Sequence, residues 1–344
     1  MRTMLLVNPT ATTTNRRTRD VLIRALGAAV DLTVEETRYR GHAAVLASGA
    51  RSRGFDAVAV LGGDGTINEA VNGLLTPRDD TPPADASPGG PAGTAAGSTP
   101  EPGDTTTGPE DGAEGRPELI VIPGGGANVF ARALGLPNNP VEATSVVLEA
   151  LQEGRRRTVG LGQARWGEEN RYFTFCAGLG YDAEVIRAIE GLRGAGFKAT
   201  PARYVSTAVR HYFATDRRHP ALTLEGPGVP VAQGMFMAII SNTSPWTYLG
   251  DRPVRPTPWA SFDTGLDLLG LRRMGLPSMM RLLPQVLSDG EGPITARHLV
   301  QLHDEAEFTL TANRPVAFQL DGDYLGECEK VEFRSVPNAL QIVA

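Results

Sequence analysis

The chain has 344 residues, with 33 Lys and Arg against 39 Asp and Glu and a formal net charge of −6. This balance disfavours a nucleic-acid interface, which needs a strongly basic surface. Neither lysine follows a glycine-rich loop and the two cysteines lack metal-ligand spacing, which rules out a Walker A loop and argues against a zinc site. No run of about 18 apolar residues is present, so we expect a cytoplasmic protein.

Short apolar strands alternate with helices through the first 157 residues. Such alternation is typical of a parallel sheet covered on both faces, with ligands beyond the carboxyl ends of its strands. We therefore predict an α/β domain over residues 1–157. The predicted strands cover 4–7, 56–61 and 118–122, and the predicted helices centre on 21–29, 67–75 and 129–134.

An acidic insertion interrupts this domain between Pro77 and Pro117. It holds nine Pro, eight Gly, eight acids and two bases, and no Val, Ile, Leu, Met or aromatic residue. Such a segment cannot bury enough apolar surface to offset its ordering entropy, so we predict disorder, with a partner-docking segment as the alternative. The rest of the chain holds 31 acids and 31 bases and is close to neutral.

After residue 157 the sequence pattern changes. Short strands between Gly and Pro turns dominate, and helices are predicted around 182–192 and 203–213. We predict a mostly antiparallel, β-rich, sandwich-like second domain over 158–320 and a C-terminal segment, 321–344, that returns to the domain interface. The predicted strands of the second domain cover 168–177, 221–224, 234–241, 266–272, 307–311 and 317–320.

The strongest motif is Gly62-Gly63-Asp64-Gly65-Thr66, which ends a predicted strand and opens a predicted helix. Glycines let a ligand approach the backbone and its amide donors, and a helix N-terminus suits phosphate. Asp64 stands where phosphates would lie, which makes sense if Mg²⁺ or a proton acceptor is needed there. The alternative is a tight turn in which Asp64 only caps the helix.

A second glycine run, Gly124-Gly125-Gly126-Ala127-Asn128, also follows a predicted strand and precedes a predicted helix. Two such loops side by side would form two walls of a phosphate cradle. A flexible connection between strand and helix is the alternative.

Two acids flank a glycine at Asp321-Gly322-Asp323, at the end of a predicted strand. Alternate residues of a strand share a face, so both carboxylates could face the same way and serve as a general base with a partner. The same three residues also suit an ordinary hairpin turn.

Together these motifs resemble the diacylglycerol kinase catalytic-domain family, which includes bacterial lipid kinases and the sphingosine and ceramide kinases. The resemblance covers nearly the whole chain apart from the insertion. The first glycine loop is shared with NAD kinases and phosphofructokinases, whereas the segment from Asn128 to Arg132 and the late Asp-Gly-acid favour the lipid kinases. The resemblance also includes Asn8-Pro9 and, after the first glycine loop, Glu69 and Asn72-Gly73.

The resemblance implies a nucleotide-binding α/β domain like that of NAD and diacylglycerol kinases, ATP bound in it, and Mg²⁺ at the transferred phosphoryl group. It implies catalytic carboxylates at Asp64, Asp321 and the base position Asp323. The lipid hydroxyl would enter the cleft between the domains. Nucleotide contacts are implied at Asn8, Pro9, Thr10, Thr37, Gly62, Gly63, Gly65, Thr66, Gly124, Gly125, Gly126 and Asn128.

The sequence departs from the family pattern at four positions. Gly126 replaces a threonine, Val129 replaces an aspartate, and Asp323 is one methylene shorter than the usual glutamate. In the second domain Thr264 stands where the family has a metal-binding aspartate, and the acid is shifted to Asp263. These departures put the rate and a structural Mg²⁺ in question more than the fold.

We therefore expect an ATP-dependent lipid kinase that phosphorylates a hydroxyl of diacylglycerol or of a sphingoid-type alcohol. The alternatives are a kinase for a soluble alcohol or NAD, and a non-catalytic nucleotide-binding regulator with the same fold. We expect a lipid substrate, peripheral contact with the inner membrane face, and no nucleic acid; a homodimer stays open. Arg155 to Arg157 could touch anionic lipid, although a solvated helix end is the favoured interpretation. The aromatic residues Trp246, Tyr248 and Trp259 could meet lipid, and core packing explains them equally.

Overall fold

The computed structural model describes residues 1–9, 11, 15–76, 115–194, 201–215, 218–288, 290 and 292–344. The predicted nucleotide contact Thr10 and the predicted disorder of residues 77–114 lie outside the described residues. The strands of the first half are β1 (Arg2–Val7), β2 (Asp31–Glu36), β3 (Ala57–Gly62), β4 (Glu118–Pro123), β5 (Arg157–Trp166), β6 (Glu169–Phe173) and β7 (Cys176–Gly180). The helices between them are α1 (Arg16–Ala29), α2 (His42–Ser48), α3 (Asp64–Leu75), α4 (Val129–Ala133) and α5 (Pro140–Glu153).

The second half begins with two helices, α6 (Tyr181–Gly194) and α7 (Pro201–Ala214), and contains one more, α8 (Leu276–Val286). Its strands are β8 (Leu222–Gly226), β9 (Val229–Met235), β10 (Met237–Ser241), β11 (Thr247–Leu249), β12 (Arg252–Val254), β13 (Leu266–Leu271), β14 (Leu299–Glu305), β15 (Glu307–Leu320) and β16 (Asp323–Ile342). None of the helices in these described ranges is long and apolar enough to cross a bilayer.

Four parallel strands in the order β2-β1-β3-β4 form the sheet of the first domain. The apolar stripes of the sequence face this sheet: Leu22 and Leu26 of α1 and Ile67 and Val71 of α3 are buried. Asn15 caps α1 by accepting a hydrogen bond from the Thr18 amide at 2.8 Å. The prediction of a parallel α/β sheet is confirmed, and the carboxyl ends of β1, β3 and β4 open on one edge.

The chain after residue 157 is β-rich as predicted, but four of its predicted strands had wrong limits. The predicted strand 168–177 is two strands, β6 and β7, with Thr174 and Phe175 between them. The predicted strand 234–241 joins the end of β9 to β10. The predicted strands 307–311 and 317–320 form one strand, β15, whose pairing with β16 shifts register between Thr311 and Val316.

Strand β16 joins the two halves of the molecule. It pairs antiparallel with β15 and β5, and its residue Ile342 pairs in parallel with Leu119 of β4. The next residue, Val343, donates its amide to the Leu119 carbonyl at 3.0 Å. One fourteen-stranded sheet therefore runs through the described part of both halves, and it holds the first-domain strands in a fixed relation to the turn between β15 and β16.

Candidate active site

The two glycine loops lie directly against each other at the carboxyl ends of β3 and β4. The Gly124 amide donates to the Gly62 carbonyl at 2.8 Å. A Cβ on Gly125 would stand 2.6 Å from the Cα of Gly63, and a Cβ on Gly124 would stand 3.1 Å from the Cα of Gly62. Gly124 and Gly125 are therefore required because the two backbones pack directly against each other. The two loops lie side by side, as the sequence predicted.

The end of β1 meets the start of α3 beside these loops. Asn8 donates from Nδ2 to the Thr66 hydroxyl at 3.0 Å. Thr37, which follows β2, donates its amide to the Val7 carbonyl at 2.9 Å. The structure thus brings the predicted nucleotide contacts Asn8, Thr37 and Thr66 to one edge of the sheet, and Pro9 is exposed there.

Asp64 is the first residue of α3 and faces the second glycine loop. Its Oδ1 accepts a hydrogen bond from the Phe130 amide at 3.1 Å, so the carboxylate bridges α3 to α4 rather than capping its own helix. Burial raises the pKa of Asp64 to about 6, and the charge of Asp321 adds to the rise. An acid with this pKa is mostly ionised at neutral pH and titrates just below it.

Asn128 shapes the second loop from within. It is fully buried in a left-handed conformation with φ of 48°. Its Oδ1 accepts from the Gly125 amide at 2.8 Å, while its Nδ2 donates to the Gly125 carbonyl at 2.9 Å and to Asn138 at 2.8 Å. Asn128 therefore holds the second glycine loop in its conformation. A side chain on Gly126 would meet nothing within 4 Å, so the missing threonine leaves open space.

Asp321 is a buried carboxylate with five hydrogen-bond donors around it. Its Oδ2 accepts from the Asn68 side chain at 2.7 Å and from the amide and hydroxyl of Thr174 at 2.7 and 2.8 Å. Its Oδ1 accepts from the amides of Phe175 and Cys176, both at 3.0 Å. Burial raises its pKa above the ordinary value while these donors oppose the rise. Asp321 thus fastens the turn after β15 to β7 and α3.

Asp323 is the more accessible acid of the turn. Its side chain is 31 % exposed and forms an ion pair with Arg40 at 3.2 Å. Its carboxylate oxygens lie 3.7 Å from where a Cβ on Gly65 would be, so Asp323 faces the first turn of α3. The prediction that both carboxylates of the turn face the same way is wrong. Asp321 points toward the start of β7, whereas Asp323 points toward Arg40.

Sequence analysis gave no role to several residues that build the site. Glu69 accepts hydrogen bonds from the amides of Gly41 and Ala43 at 2.7 and 3.2 Å, which holds the start of α2 and the loop before it. Asn72 accepts from the Tyr172 amide at 2.8 Å and donates to the Tyr172 carbonyl at 2.9 Å. The signal for both was present, since Glu69 and Asn72 belong to the quoted motif.

Arg132, at the end of the second motif, reaches the second half of the chain. Its guanidinium lies 3.2 Å from the ring centre of Tyr248 and donates to the Gly250 carbonyl at 3.2 Å. The residue therefore fastens α4 to the β11–β12 hairpin beside the glycine loops.

The residues around Asp263 do not fit a protein-held metal ion. Asp263 is largely exposed and pairs with Arg157 at 3.3 Å. Within the described ranges no group of three or more His, Cys, Asp or Glu side chains could hold a metal. The metal role of Asp263 stays a prediction that these contacts do not support.

The comparisons with known proteins agree with the motifs. The family model described as the diacylglycerol kinase catalytic domain matches residues 2–164. This stretch of the chain resembles the diacylglycerol kinase catalytic domain. A diacylglycerol kinase of Staphylococcus aureus (strain JH9) is 28% identical over 186 residues, which are 54% of this chain and 45% of that protein. The chain thus aligns with less than half the length of this curated relative.

Comparison with solved structures shows a similar fold over nearly the whole chain. A putative diacylglycerol kinase from Bacillus anthracis str. Sterne superposes with a TM-score of 0.69 at 19% identity, covering 99% of this chain and 96% of that one. A second structure, of a diacylglycerol kinase from the same strain, has a TM-score of 0.66 at 17% identity and the same coverages. The fold of both halves is therefore the fold of those proteins.

Proposed function

We propose that the protein is an ATP-dependent lipid kinase, which transfers the terminal phosphoryl group of ATP to a lipid hydroxyl. One observation carries the proposal. The paired glycine loops and the start of α3 form a backbone-lined edge that holds Asp64, and Asp323 faces this edge from the second half of the chain. Phosphoryl transfer needs such a place for phosphates together with an acceptor base on the other side.

The residues present divide the work as follows. The amides of the glycine loops and the α3 N-terminus would bind nucleotide phosphates, with Thr66 and Thr37 beside them. Asp64 and the phosphates supply the oxygen ligands that suit Mg²⁺, which would offset negative charge on the transferred group. Asp323 would accept the proton of the attacking hydroxyl. Asp321, whose oxygens are engaged by five donors, would position Asp323.

The acceptor is proposed to be diacylglycerol or a similar lipid alcohol. The match to the diacylglycerol kinase catalytic domain supports a lipid acceptor, and the exposed apolar residues of two helices support access to a membrane. Val205, Val209 and Phe213 form one stripe on α7, and Leu276, Met280 and Leu283 form another on α8. Tyr212 ties the two regions together by donating its hydroxyl to the Met274 carbonyl at 2.7 Å.

Peripheral contact with an anionic membrane follows from the same stripes, because exposed arginines lie on both helices, at Arg210 and Arg281. The arginine run at 155–157 is less suitable, since each of its members pairs with an acid. We expect the protein to float with vesicles containing anionic lipid, and Phe213→Ser with Met280→Ser to abolish flotation. Unchanged flotation of this double variant would place the contact elsewhere.

The test of the proposed reaction is transfer of labelled γ-phosphate from ATP with Mg²⁺ to a panel of dispersed lipids and soluble alcohols, NAD included. We expect label in a lipid, and none with Asp64→Asn, because the amide keeps the hydrogen bond from Phe130 but loses the charge. The melting temperature of this variant should stay within about 4 °C of the wild type. Asp267→Asn, another buried acid, is the matched control and should keep activity.

Other results would overturn parts of this proposal. Label in a soluble alcohol alone would move the acceptor class. Tight ATP binding without transfer to any acceptor would indicate a nucleotide-binding regulator. Wild-type turnover of a folded Asp64→Asn variant would remove Asp64 from the mechanism.

A further inference from the structure

A buried acid outside the motifs is connected to the acceptor end of the site by two hydrogen bonds. Asp182, at the start of α6, is 5% exposed, and its Oδ2 accepts from Nε2 of Gln319 at 2.9 Å. Gln319 is 1% exposed, and its Oε1 accepts from the Gly322 amide at 2.9 Å. Gly322 is the central residue of the turn that carries Asp321 and Asp323.

The glycine at position 178 leaves room for the hydrogen bond between Asp182 and Gln319. Gln319 on β15 lies opposite Gly178 on β7 in the strand pairing. A Cβ on Gly178 would collide with the Asp182 carboxylate and would stand 2.7 Å from Nε2 of Gln319. The absence of a side chain at position 178 is thus what lets the acid and the amide meet inside the sheet–helix interface.

The Gly322 amide and the Asp182 carboxylate determine which way the Gln319 side-chain amide is oriented. The Gly322 amide can only donate, so it requires the oxygen of the Gln319 side chain. The other end of that side chain is then an NH₂ group, which requires an acceptor, and ionised Asp182 is acceptor-only. A protonated Asp182 keeps one acceptor oxygen for this NH₂ group, but the hydrogen bond then loses its charge and is weaker.

We propose that Asp182 is a positioning residue for the proposed kinase reaction: through Gln319 it fixes the turn that presents Asp323 to the acceptor hydroxyl. The proposal rests on the proposed function for its kinetic consequence, but the structural connection can be tested without activity. The turn needs such support because Asp321 and Gly322 both hold positive φ values, 48° and 80°.

The surroundings of Asp182 make its charge state responsive near neutral pH. Burial raises its pKa to about 7, and the hydrogen bond from Gln319 opposes the rise. Its own helix α6 carries Tyr181, Glu184, Arg187 and Glu190, and the elements packed against α6 carry further titratable groups. They include Cys176 on β7, Arg203, Arg210, His211 and Tyr212 on α7, Arg314 on β15, Asp321 after it, and Asp323, Tyr324 and Glu327 on β16.

The kinetic test exchanges the two partners. Gln319→Glu alone sets two carboxyl groups against each other, and we expect the kcat for lipid phosphorylation to fall on the order of 10- to 100-fold with little change in the KM for ATP. Adding Asp182→Asn restores both hydrogen bonds with the roles reversed, since the new amide at position 182 can donate to the new carboxylate at position 319. We expect the double variant to recover most of the lost kcat. A double variant no better than Gln319→Glu would overturn the proposal.

Asp182→Asn alone separates positioning from simple structural support. An asparagine can still accept from Gln319, so we expect a smaller loss at pH 8 and disappearance of the decline in kcat as pH falls through about 7. Asp267→Asn is the matched control, because Asp267 is buried to the same degree and contacts His303 instead of the turn.

The test that needs no activity follows the Gly322 amide by NMR. Labelling Asp at the carbonyl carbon and Gly at nitrogen selects the four Asp-Gly pairs of the sequence, which end at Gly65, Gly112, Gly290 and Gly322. We expect the Gly322 amide to shift between pH 6 and 8 in the wild type and in Asp267→Asn, but not in Asp182→Asn. The same shift in all three proteins would overturn the connection even if the kinase reaction were established, and its presence would support the connection even if no lipid were phosphorylated.

Discussion

At the scale of single residues, neighbouring glycines in one loop have different reasons to be glycine. A side chain at 125 would run into the backbone of Gly63, whereas a side chain at 126 would meet nothing within 4 Å. Gly125 therefore belongs to the packing of the two loops. Gly126 lies where a side chain could reach toward a ligand, which is the position at which the family carries a threonine.

This difference predicts that one small substitution weakens ATP binding and that the other leaves it unchanged. Gly125→Ala should push the loops apart and weaken ATP binding at least tenfold, on the order of 1.4 kcal/mol. Gly126→Ala should leave ATP binding within about twofold, because the added methyl group occupies open space. Isothermal titration of both variants checks the pair. Equal affinities would mean that the loops do not form the nucleotide site.

The three acids that sequence analysis treated alike separate by their contacts. Asp321 accepts from donors 145 to 147 residues earlier in the chain and from Asn68, 253 residues earlier. The family resemblance implied catalytic roles for the acids at 64, 321 and 323, but hydrogen-bond donors so distant in the chain leave no periodicity in a single sequence. Only the fold shows that Asp321 holds the turn in place through hydrogen bonds while Asp323 stays accessible.

At the scale of elements, helices α2 and α3 act as one unit behind the nucleotide edge. A Cβ on Gly73 of α3 would run into the backbone of Ala44 in α2, so the helices touch through their main chains. Glu69 of α3 binds the amides of Gly41 and Ala43 at the start of α2. The loop with Thr37 and Arg40 is therefore placed by α3, the same helix whose first turn carries Asp64.

Glu69→Ala should release that loop. We expect ATP affinity to fall about tenfold, since two hydrogen bonds to a charged group are lost, each worth about 1.5–3 kcal/mol before relaxation. Glu149→Ala, an exposed acid on α5, is the matched control and should bind ATP like the wild type. Titration calorimetry with both variants decides this. Normal affinity in Glu69→Ala would show that the loop with Thr37 lies outside the nucleotide site.

The elements themselves were predicted well where apolar periodicity marks a buried face, as in α1, α3, β3 and β4. Prediction was wrong where a strand break carries no Gly or Pro. Thr174 and Phe175 interrupt the predicted strand 168–177 because their amides turn to the Asp321 carboxylate instead of a neighbouring strand. Strand β2 was not predicted, because its residues are mostly exposed and only Leu32 and Val34 are apolar.

At the scale of the whole molecule, the two halves of the chain contribute three acids with raised pKa values. Asp64 comes from the first domain, whereas Asp182 and Asp321 come from the second half, and burial raises the pKa of all three. Such acids serve the site at a cost in stability at neutral pH, because each holds its proton more tightly in the folded state than in the unfolded chain. Stability gained from them is complete below pH 4 and is lost as pH rises through their folded-state pKa values.

The part due to Asp182 can be measured on its own. Its pKa of about 7 in the folded state, against 3.8 as the ordinary value, means that the wild type should lose free energy of unfolding from pH 5 to pH 7 and little more above it. Asp182→Asn carries no proton to lose. We therefore expect the decrease between pH 5 and pH 8 to be larger in the wild type than in this variant by about 3 kcal/mol, at about 1.4 kcal/mol per pH unit. Urea unfolding at both pH values measures the difference, with Asp263→Asn as an exposed control, and parallel decreases in wild type and Asp182→Asn would mean that Asp182 already titrates near its ordinary pKa.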